Sequence, residues 1–383
     1  MIRYEKYIHL PRVVVELLPY SEQAEAARRW QELERLTNNT GLTNSWTWIK
    51  TWLEHHAGIV QATFAFGQRG KQTIGAALIV QANYKRKGLS IDRVHLGTGK
   101  YVEYNRLLVV PQYLDSFAME LVRTVQNKFR WSELHLDGFV PEHGDALLLA
   151  GRSAGLSFEV DVKASPAFDF RKATDDGYED VISALGKNTR YQIRRSLRLF
   201  EQQFGQIALE WAETPEQAKD ILKELIELHQ KRWTQMNQSG AFDKPHLRSY
   251  YVGLIDALKL WPQGSAIVCR VKAGETTLGC IFNYVENGHI MFTKGGMAQF
   301  EDNKLKPGFV THLICMEECR KRSLSEEQNG RQGLWNYDFL AGDEPYKDNI
   351  SNTAGNLIWA TAERGVPLWL MGKARAVKNL IKR

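Results

Sequence analysis

Short apolar runs broken by glycine recur twice along the chain, and the two stretches follow one plan. Gln61 to Gln81 holds Ala-Thr-Phe-Ala-Phe, then Gly70, Gly75 and Ala-Ala-Leu-Ile-Val; Ala266 to Val285 holds Gly274 and Gly279 at the same separation and returns with Cys-Ile-Phe-Asn-Tyr. Each reads as a β-hairpin. Each then leads to a proline, a helical stretch and a strand with an aspartate inside it. In the first copy these are Pro111, Tyr113 to Arg130 and Leu134-His-Leu-Asp-Gly138; in the second, Pro307, a helix ending near Arg322 and Trp335-Asn-Tyr-Asp-Phe339. The repeat predicts two homologous mixed α/β domains.

Helices are expected before each hairpin. In the first half they cover Ser21 to Leu36 and Asn44 to His55, where Trp46, Ile49 and Leu53 recur three and four apart beside Trp48 and Trp52. So broad an apolar face is a core face. The second half opens with helices over Tyr178 to Phe204 and Pro215 to Met236, the latter with Thr214 as N-cap and proline near its start. The boundary is expected near Ser165-Pro166, which gives domains of residues 1–165 and 166–383. With no low-complexity linker between them, a crevice at their junction is the default binding site.

Between Trp335 and Lys347 an apolar strand runs straight into ionisable groups. Tyr337, Phe339 and Leu340 suit a buried strand, and Gly342 and Pro345 place Asp343, Glu344, Tyr346 and Lys347 where it ends. A carboxylate inside such a strand costs several kcal/mol unless partnered, so Asp338 is expected either to pair with Lys347 or an arginine or to do chemistry.

Composition narrows the picture. The 383 residues, 43% of them hydrophobic, fit two or three folded domains, and the formal charge of +6 favours an anionic partner. Cys269, Cys280, Cys315 and Cys319 fall in the second half, two of them in apolar strand-like runs, as reduced core thiols do. The N-terminus lacks a secretory pattern and no apolar run is long enough to span a bilayer, so a cytoplasmic location is expected. From Lys373 the chain carries Lys373, Arg375, Lys378, Lys382 and Arg383 without an acid, a pattern suited to anionic lipid at the inner membrane face, to tRNA or to plain solvation.

Gly151-Arg-Ser-Ala-Gly155 fits a hydrolase nucleophile elbow with Ser153 as nucleophile, but a helix precedes it and a strand follows, the reverse of what an elbow needs. Phosphate-loop, dinucleotide and zinc-helix motifs are missing. Cys315 and Cys319 lack further ligands at metal spacing, so no metal is expected. Arg190, Arg194 and Arg198 line one helical face with Lys187 and Arg195 nearby, either an anion site or a solvated face. His229 shares an apolar stripe with Leu222, Ile226 and Trp233, with Arg232 one step around; it is either a core histidine or a base able to work near pH 7. Pro307 and Gly308 start a helix whose first amides could bind an anion or a developing oxyanion.

Taken in order, several segments resemble the CelD-type, or BioF-like, acetyltransferases, a branch of the GNAT superfamily related to the FemABX aminoacyltransferases. They are Trp46 to Trp52, Glu103-Tyr-Asn105, Leu185-Gly-Lys-Asn-Thr-Arg-Tyr-Gln-Ile-Arg-Arg195, His229 with Arg232-Trp233, Phe242, Gly279, Pro307-Gly308 and Asp338-Phe-Leu-Ala-Gly-Asp-Glu-Pro-Tyr-Lys347. The resemblance implies an α/β (α+β) fold of tandem GNAT-like domains, each a mixed, mainly antiparallel sheet flanked by helices. It implies acyl transfer from an activated donor to an amine or hydroxyl, with a small molecule, glycan or envelope-polymer precursor as acceptor. Family enzymes bind the CoA pyrophosphate on a Gln/Arg-x-x-Gly-x-Gly/Ala loop, whereas here that place holds Lys306-Pro-Gly-Phe-Val310. Acyl-CoA is the favoured donor, with aminoacyl-tRNA and an acyl carrier protein as alternatives, and a noncatalytic scaffold as the competing reading.

On the favoured reading His229 or Asp338 takes the acceptor proton, amides near Gly308 stabilise the oxyanion, and Lys347 with Arg190, Arg194 and Arg195 holds anionic groups. Arg232, Trp233, Pro307, Glu344 and Tyr346 complete the donor and acceptor surfaces, and the chemistry is expected in the second domain.

Overall fold

Glycine fixes both expected hairpins for the same two physical reasons. In the computed structural model, which describes residues 12–37, 40–86, 89–99, 102–342 and 344–364, each hairpin turns at a glycine of positive φ, Gly70 (+60°) and Gly274 (+53°). The second glycine makes room for the helix that follows: a Cβ on Gly75 would lie 2.7 Å from the Phe117 ring, and one on Gly279 2.7 Å from Thr311 Oγ1. The strand register also slips beside each of them, between Gly67 and Gln68 opposite Gly75 and between Thr277 and Gly279. The basic C-terminal segment from Lys373, the N-terminal residues 1–11 and Asp343 lie outside the described residues.

The chain divides into two compact units, Met1–Lys163 with Asn356–Arg383, and Ala164–Gly355. The first opens with β1 (Val14–Pro19), α1 (Gln23–Thr37) and α2 (Trp46–His56), followed by β2 (Gln61–Arg69), β3 (Gln72–Arg86), β4 (Leu89–Leu96) and the short β5 (Leu108–Val109). Then come α3 (Leu114–Lys128), β6 (Glu133–Phe139), α4 (Pro141–Ser153) and β7 (Phe158–Asp169), which leads into the second unit. That unit holds α5 (Phe170–Asp175), α6 (Lys187–Phe204), β8 (Ile207–Trp211), α7 (Pro215–Gln235), α8 (Pro245–Leu258), β9 (Ala266–Ala273), β10 (Thr276–Glu286) and β11 (His289–Met297). It continues with α9 (Pro307–Gln328), β12 (Asn336–Asp338) and α10 (Pro345–Asn349), and β13 (Thr353–Glu363) leads back to the first.

Strand order in the first unit is β1-β2-β3-β4-β6-β13 and in the second β8-β9-β10-β11-β12-β7. Each sheet is antiparallel except for one parallel pair at the same place, β4 with β6 and β11 with β12. Each unit is thus a mixed, mainly antiparallel sheet flanked by helices. The expected second domain of 166–383 differs from the observed division, because β13 pairs with β6 and buries Ile358, Ala360 and Ala362 in the first unit's core. The helix expected from Tyr178 begins only at Lys187, after Gly186 as N-cap, while α9 runs past Arg322 to Gln328. Among the described residues no helix is long and apolar enough to cross a membrane.

Gly75→Ala is expected to destabilise the first unit by about 1–3 kcal/mol, because the fully buried Phe117 ring can move only by disturbing the core. A fall in melting temperature checks it; an unchanged value would mean that the strand and α3 can part at no cost.

Candidate active site

The strand β12 carries Asp338 into the second unit's interior, where it is 1% exposed. Ser165 Oγ donates to its Oδ1 at 2.7 Å, the Leu340 N–H donates to the same oxygen at 2.6 Å, and His289 Nε2 lies 3.1 Å from Oδ2. Leu340 has φ +60°, a left-handed conformation that disfavours a side chain, and its hydrogen bond to Asp338 offsets that cost. The expected ion pair of Asp338 with Lys347 is replaced by this set. After the sharp turn at Leu340, α10 sends the lysine back to different partners.

Lys347 is 5% exposed, and its Nζ donates to the carbonyls of Leu340 (3.0 Å) and Ala341 (3.2 Å) and pairs with Glu344 Oε2 (2.9 Å). A Cβ on Gly342, whose φ is +151°, would stand 2.4 Å from Glu344 Oε2 and 2.7 Å from Lys347 Nζ, so only glycine leaves room for the pair. Burial raises the Glu344 pKa, but the hydrogen bond and charge of Lys347, helped by Arg232, outweigh it and hold the carboxyl below its ordinary value. Burial first, and the Glu344 charge second, push the Tyr346 phenol up to about 12. That ring stacks on His312 at 5.8 Å between centroids. His312 is itself buried, with Nδ1 3.2 Å from the Tyr337 hydroxyl, and burial aided by the Lys347 charge brings it down to about 3.

On α7, Thr214 and Gln217 close a capping box, and one turn near the far end presents His229, Arg232 and Trp233. The Trp233 indole N–H donates to His229 Nε2 at 3.0 Å, and His229 Nδ1 lies 3.2 Å from Gln230 Oε1, which fits a neutral imidazole with its proton on Nδ1. Burial is the main reason its pKa falls below the ordinary value, with the charges of Lys294 and Arg232 acting the same way against the Gln230 hydrogen bond. The Arg232 charge also reaches Glu344 and Tyr346, so this turn of α7 and the segment 344–346 share one electrostatic neighbourhood. His229 and Asp338 are held by separate sets of partners.

The start of α9 has no side-chain cap, and a Cβ on Gly308 would meet nothing closer than Met297 Cγ at 3.9 Å. The first-turn amides of Gly308 and Phe309 have no carbonyl partner within the helix. Ser196 Oγ accepts from the Lys306 N–H at 2.8 Å, which fixes α6 beside this helix start. On α6, Arg190 donates to the Ser183 carbonyl at 2.8 Å, Arg194 is exposed, and the buried Nε of Arg195 has no hydrogen-bond partner. Ser153 is the last residue of α4, and Leu156 N–H bonds back to the Gly151 carbonyl at 2.9 Å, a helix stop that excludes the nucleophile elbow. All four cysteines are buried, with Cys269 and Cys315 sulfurs 3.5 Å apart.

The acetyltransferase (GNAT) domain family matches residues 187–348, a span that starts at α6 and ends just past Lys347. The chain carries a GNAT-type acetyltransferase domain. A FemX crystal structure shares the fold at a TM-score of 0.54 and 12% identity, over 90% of this chain and 98% of that one. The C-terminal domain of a putative lysylphosphatidylglycerol synthetase from Agrobacterium fabrum does so at 0.52 and 10%, over 92% and 96%. A conserved protein of unknown function from Bacteroides thetaiotaomicron gives 0.53 and 11%, over 88% and 97%. No curated protein matches the chain in sequence.

Within the GNAT domain, sequence reasoning missed two histidines that touch the candidate residues. His289 begins β11 and meets Asp338 through the parallel pairing of β11 with β12, a relation that no local spacing reveals. His312 left one faint signal, its place three residues after Phe309 on the helix that Pro307 opens, so that both rings reach Tyr346.

Proposed function

We propose that the GNAT domain moves an acyl group from an acyl-CoA to an amine or hydroxyl of a glycan or envelope-polymer precursor. The observation that carries this reading is the electrostatic neighbourhood of α7 and segment 344–346, where a neutral imidazole and a phenol of raised pKa share one arginine. The acceptor lone pair attacks the thioester carbonyl, and His229 takes the acceptor's proton once Nε2 releases the Trp233 N–H. The amides of Gly308 and Phe309 face the tetrahedral oxyanion. The C–S bond then breaks and the Tyr346 phenol donates its proton to the leaving thiolate. Arg194 and Arg195 neutralise donor phosphates in place of the missing Gln/Arg-x-x-Gly-x-Gly/Ala loop. In this scheme Asp338 and Lys347 keep the turn at Leu340 rigid, and the first unit serves the acceptor side. Work at the cytoplasmic membrane face would suit a lipid-linked acceptor.

Thermal shift with CoA, acetyl-CoA and aminoacyl-tRNA, followed by mass spectrometry of acylated acceptor, tests the reading. Stabilisation by acetyl-CoA with product formation is expected; a response to aminoacyl-tRNA alone would move the donor to the FemX type, and silence across all donors would leave a scaffold. Tyr346→Phe is expected to lower kcat about 100-fold with little change in KM. Unchanged turnover would remove Tyr346 from proton transfer.

A further inference from the structure

The aspartates at the centre of the two repeats sit in the same surroundings, but the first has one more donor beside it. In the first unit His95 on β4 lies opposite His135 on β6, with Asp137 two residues further on; in the second, His289 on β11 lies opposite Asn336 on β12, with Asp338 two further on. Both aspartates touch the histidine of the neighbouring strand, Asp137 Oδ2 at 2.6 Å from His95 Nδ1 and Asp338 Oδ2 at 3.1 Å from His289 Nε2. What differs is the opposite residue, a histidine in one unit and an asparagine in the other.

We propose that His95, His135 and Asp137 bind a divalent transition-metal cation in the first unit. One donor atom from each lies within 4.8 Å of the others, and this is the only such group of three among the described residues. Two imidazoles and one carboxylate form a ligand set for zinc or iron(II) that leaves coordination positions open. Ligands about 2.1 Å from one metal stand about 3.4 Å apart, so on binding the His95 and Asp137 atoms, now 2.6 Å apart, open by about 0.8 Å while His135 closes on them by at most about 1.4 Å. His135, with a side chain 18% exposed at the rim, has room for that movement and gives the ion its way in.

The surroundings also suit a cation. Arg93 Nε sits 2.5 Å from Glu133 Oε2 and neutralises it, which leaves the buried Asp137 carboxylate beside the two imidazoles without a fixed positive charge from this set. A metal there would replace the proton that His95 Nδ1 now shares with Asp137 Oδ2. Glu133 Oε2 lies 2.9 Å from His135 Nε2, a carboxylate–histidine contact of the kind that orients a ligating ring. Thr361 Oγ1, on β13 across β6 from His95, lies 3.2 Å from His135 Nδ1, so one of the two contacts of this ring gives way when it turns a nitrogen to the metal. The ligands come from two parallel strands rather than from one motif, which is why their spacing in sequence gives no metal signature.

Equilibrium dialysis of the full chain against Zn2+, with metal counted by mass spectrometry, tests the site without reference to catalysis. One Zn2+ per chain is expected, weakened at least about 100-fold in Asp137→Asn and in His135→Asn, the latter carrying the residue that the second unit has at this position, and about 10- to 100-fold in Glu133→Gln. Failure to take up stoichiometric Zn2+, or equal affinity in His135→Asn, overturns the proposal. Co2+ bound to the unmutated chain gives a readout that does not depend on the folding of a variant. Visible d–d bands of nitrogen and oxygen ligation are expected, whereas a thiolate charge-transfer band would put the ion on the buried cysteines and overturn the assignment.

Discussion

Replacing Asp338 by alanine is expected to lower the unfolding free energy of the second unit by about 3–5 kcal/mol, the range for removing one partner from a buried charged network. The Ser165 hydroxyl, the Leu340 N–H and the His289 ring would all face a void where a carboxylate stood. Leu340 would also keep its φ of +60° without the hydrogen bond that supports it. Asp338→Asn retains one oxygen for Ser165 and Leu340 and turns an amide towards His289, so its cost should be nearer about 1–2 kcal/mol. Urea unfolding followed by tryptophan fluorescence separates the two. If alanine costs less than about 1 kcal/mol, the network does not hold the turn, and the rigidity assigned to the turn at Leu340 fails with it. On the proposed mechanism both variants also lose turnover, because Glu344, Tyr346 and Lys347 all follow that turn.

The same residue shows where the sequence could be read and where it could not. An aspartate between Tyr337 and Phe339 is anomalous on local pattern alone, so its importance was visible. Its partners were not, because Ser165 and His289 lie 173 and 49 residues away and reach it only through the pairing of β12 with β7 and β11. Lys347, nearer in sequence, was the natural guess, but α10 turns its ammonium onto the carbonyls of Leu340 and Ala341. The hairpins were legible because Gly70, Gly75, Gly274 and Gly279 meet conformational and steric demands that local sequence records. By contrast β13 was missed, since its contribution to the first unit depends on pairing with β6, more than two hundred residues earlier. His312 was hidden for another reason: a histidine inside an ordinary helical period carries no sign that burial will keep it neutral.

That burial makes His312 a group through which mild acid should weaken the second unit, and His229, also lowered by burial, acts in the same direction. Its pKa is about 3 in the folded chain, pulled down by burial and then by the Lys347 charge, against an ordinary value of 6.5. Above pH 6.5 the imidazole is neutral in both folded and unfolded chains, and its contribution to stability is fully present. As the pH falls below 6.5 the unfolded chain takes up a proton that the folded chain refuses, so stability declines and the loss levels off only near pH 3. From pH 7 to pH 4 this single group accounts for about 3 kcal/mol, at about 1.4 kcal/mol per pH unit below 6.5. His312→Gln, which keeps a side chain able to hydrogen-bond the Tyr337 hydroxyl without titrating, should flatten the decline in melting temperature between pH 6.5 and pH 4. It should also leave the proton-transfer steps assigned to His229 and Tyr346 in place. His143, lowered to about 4 chiefly by burial, acts on the first unit instead. A second unit whose melting temperature falls equally in the wild type and in His312→Gln would show that the imidazole is hydrated, and the stacked arrangement of His312 on Tyr346 would then have to open in solution.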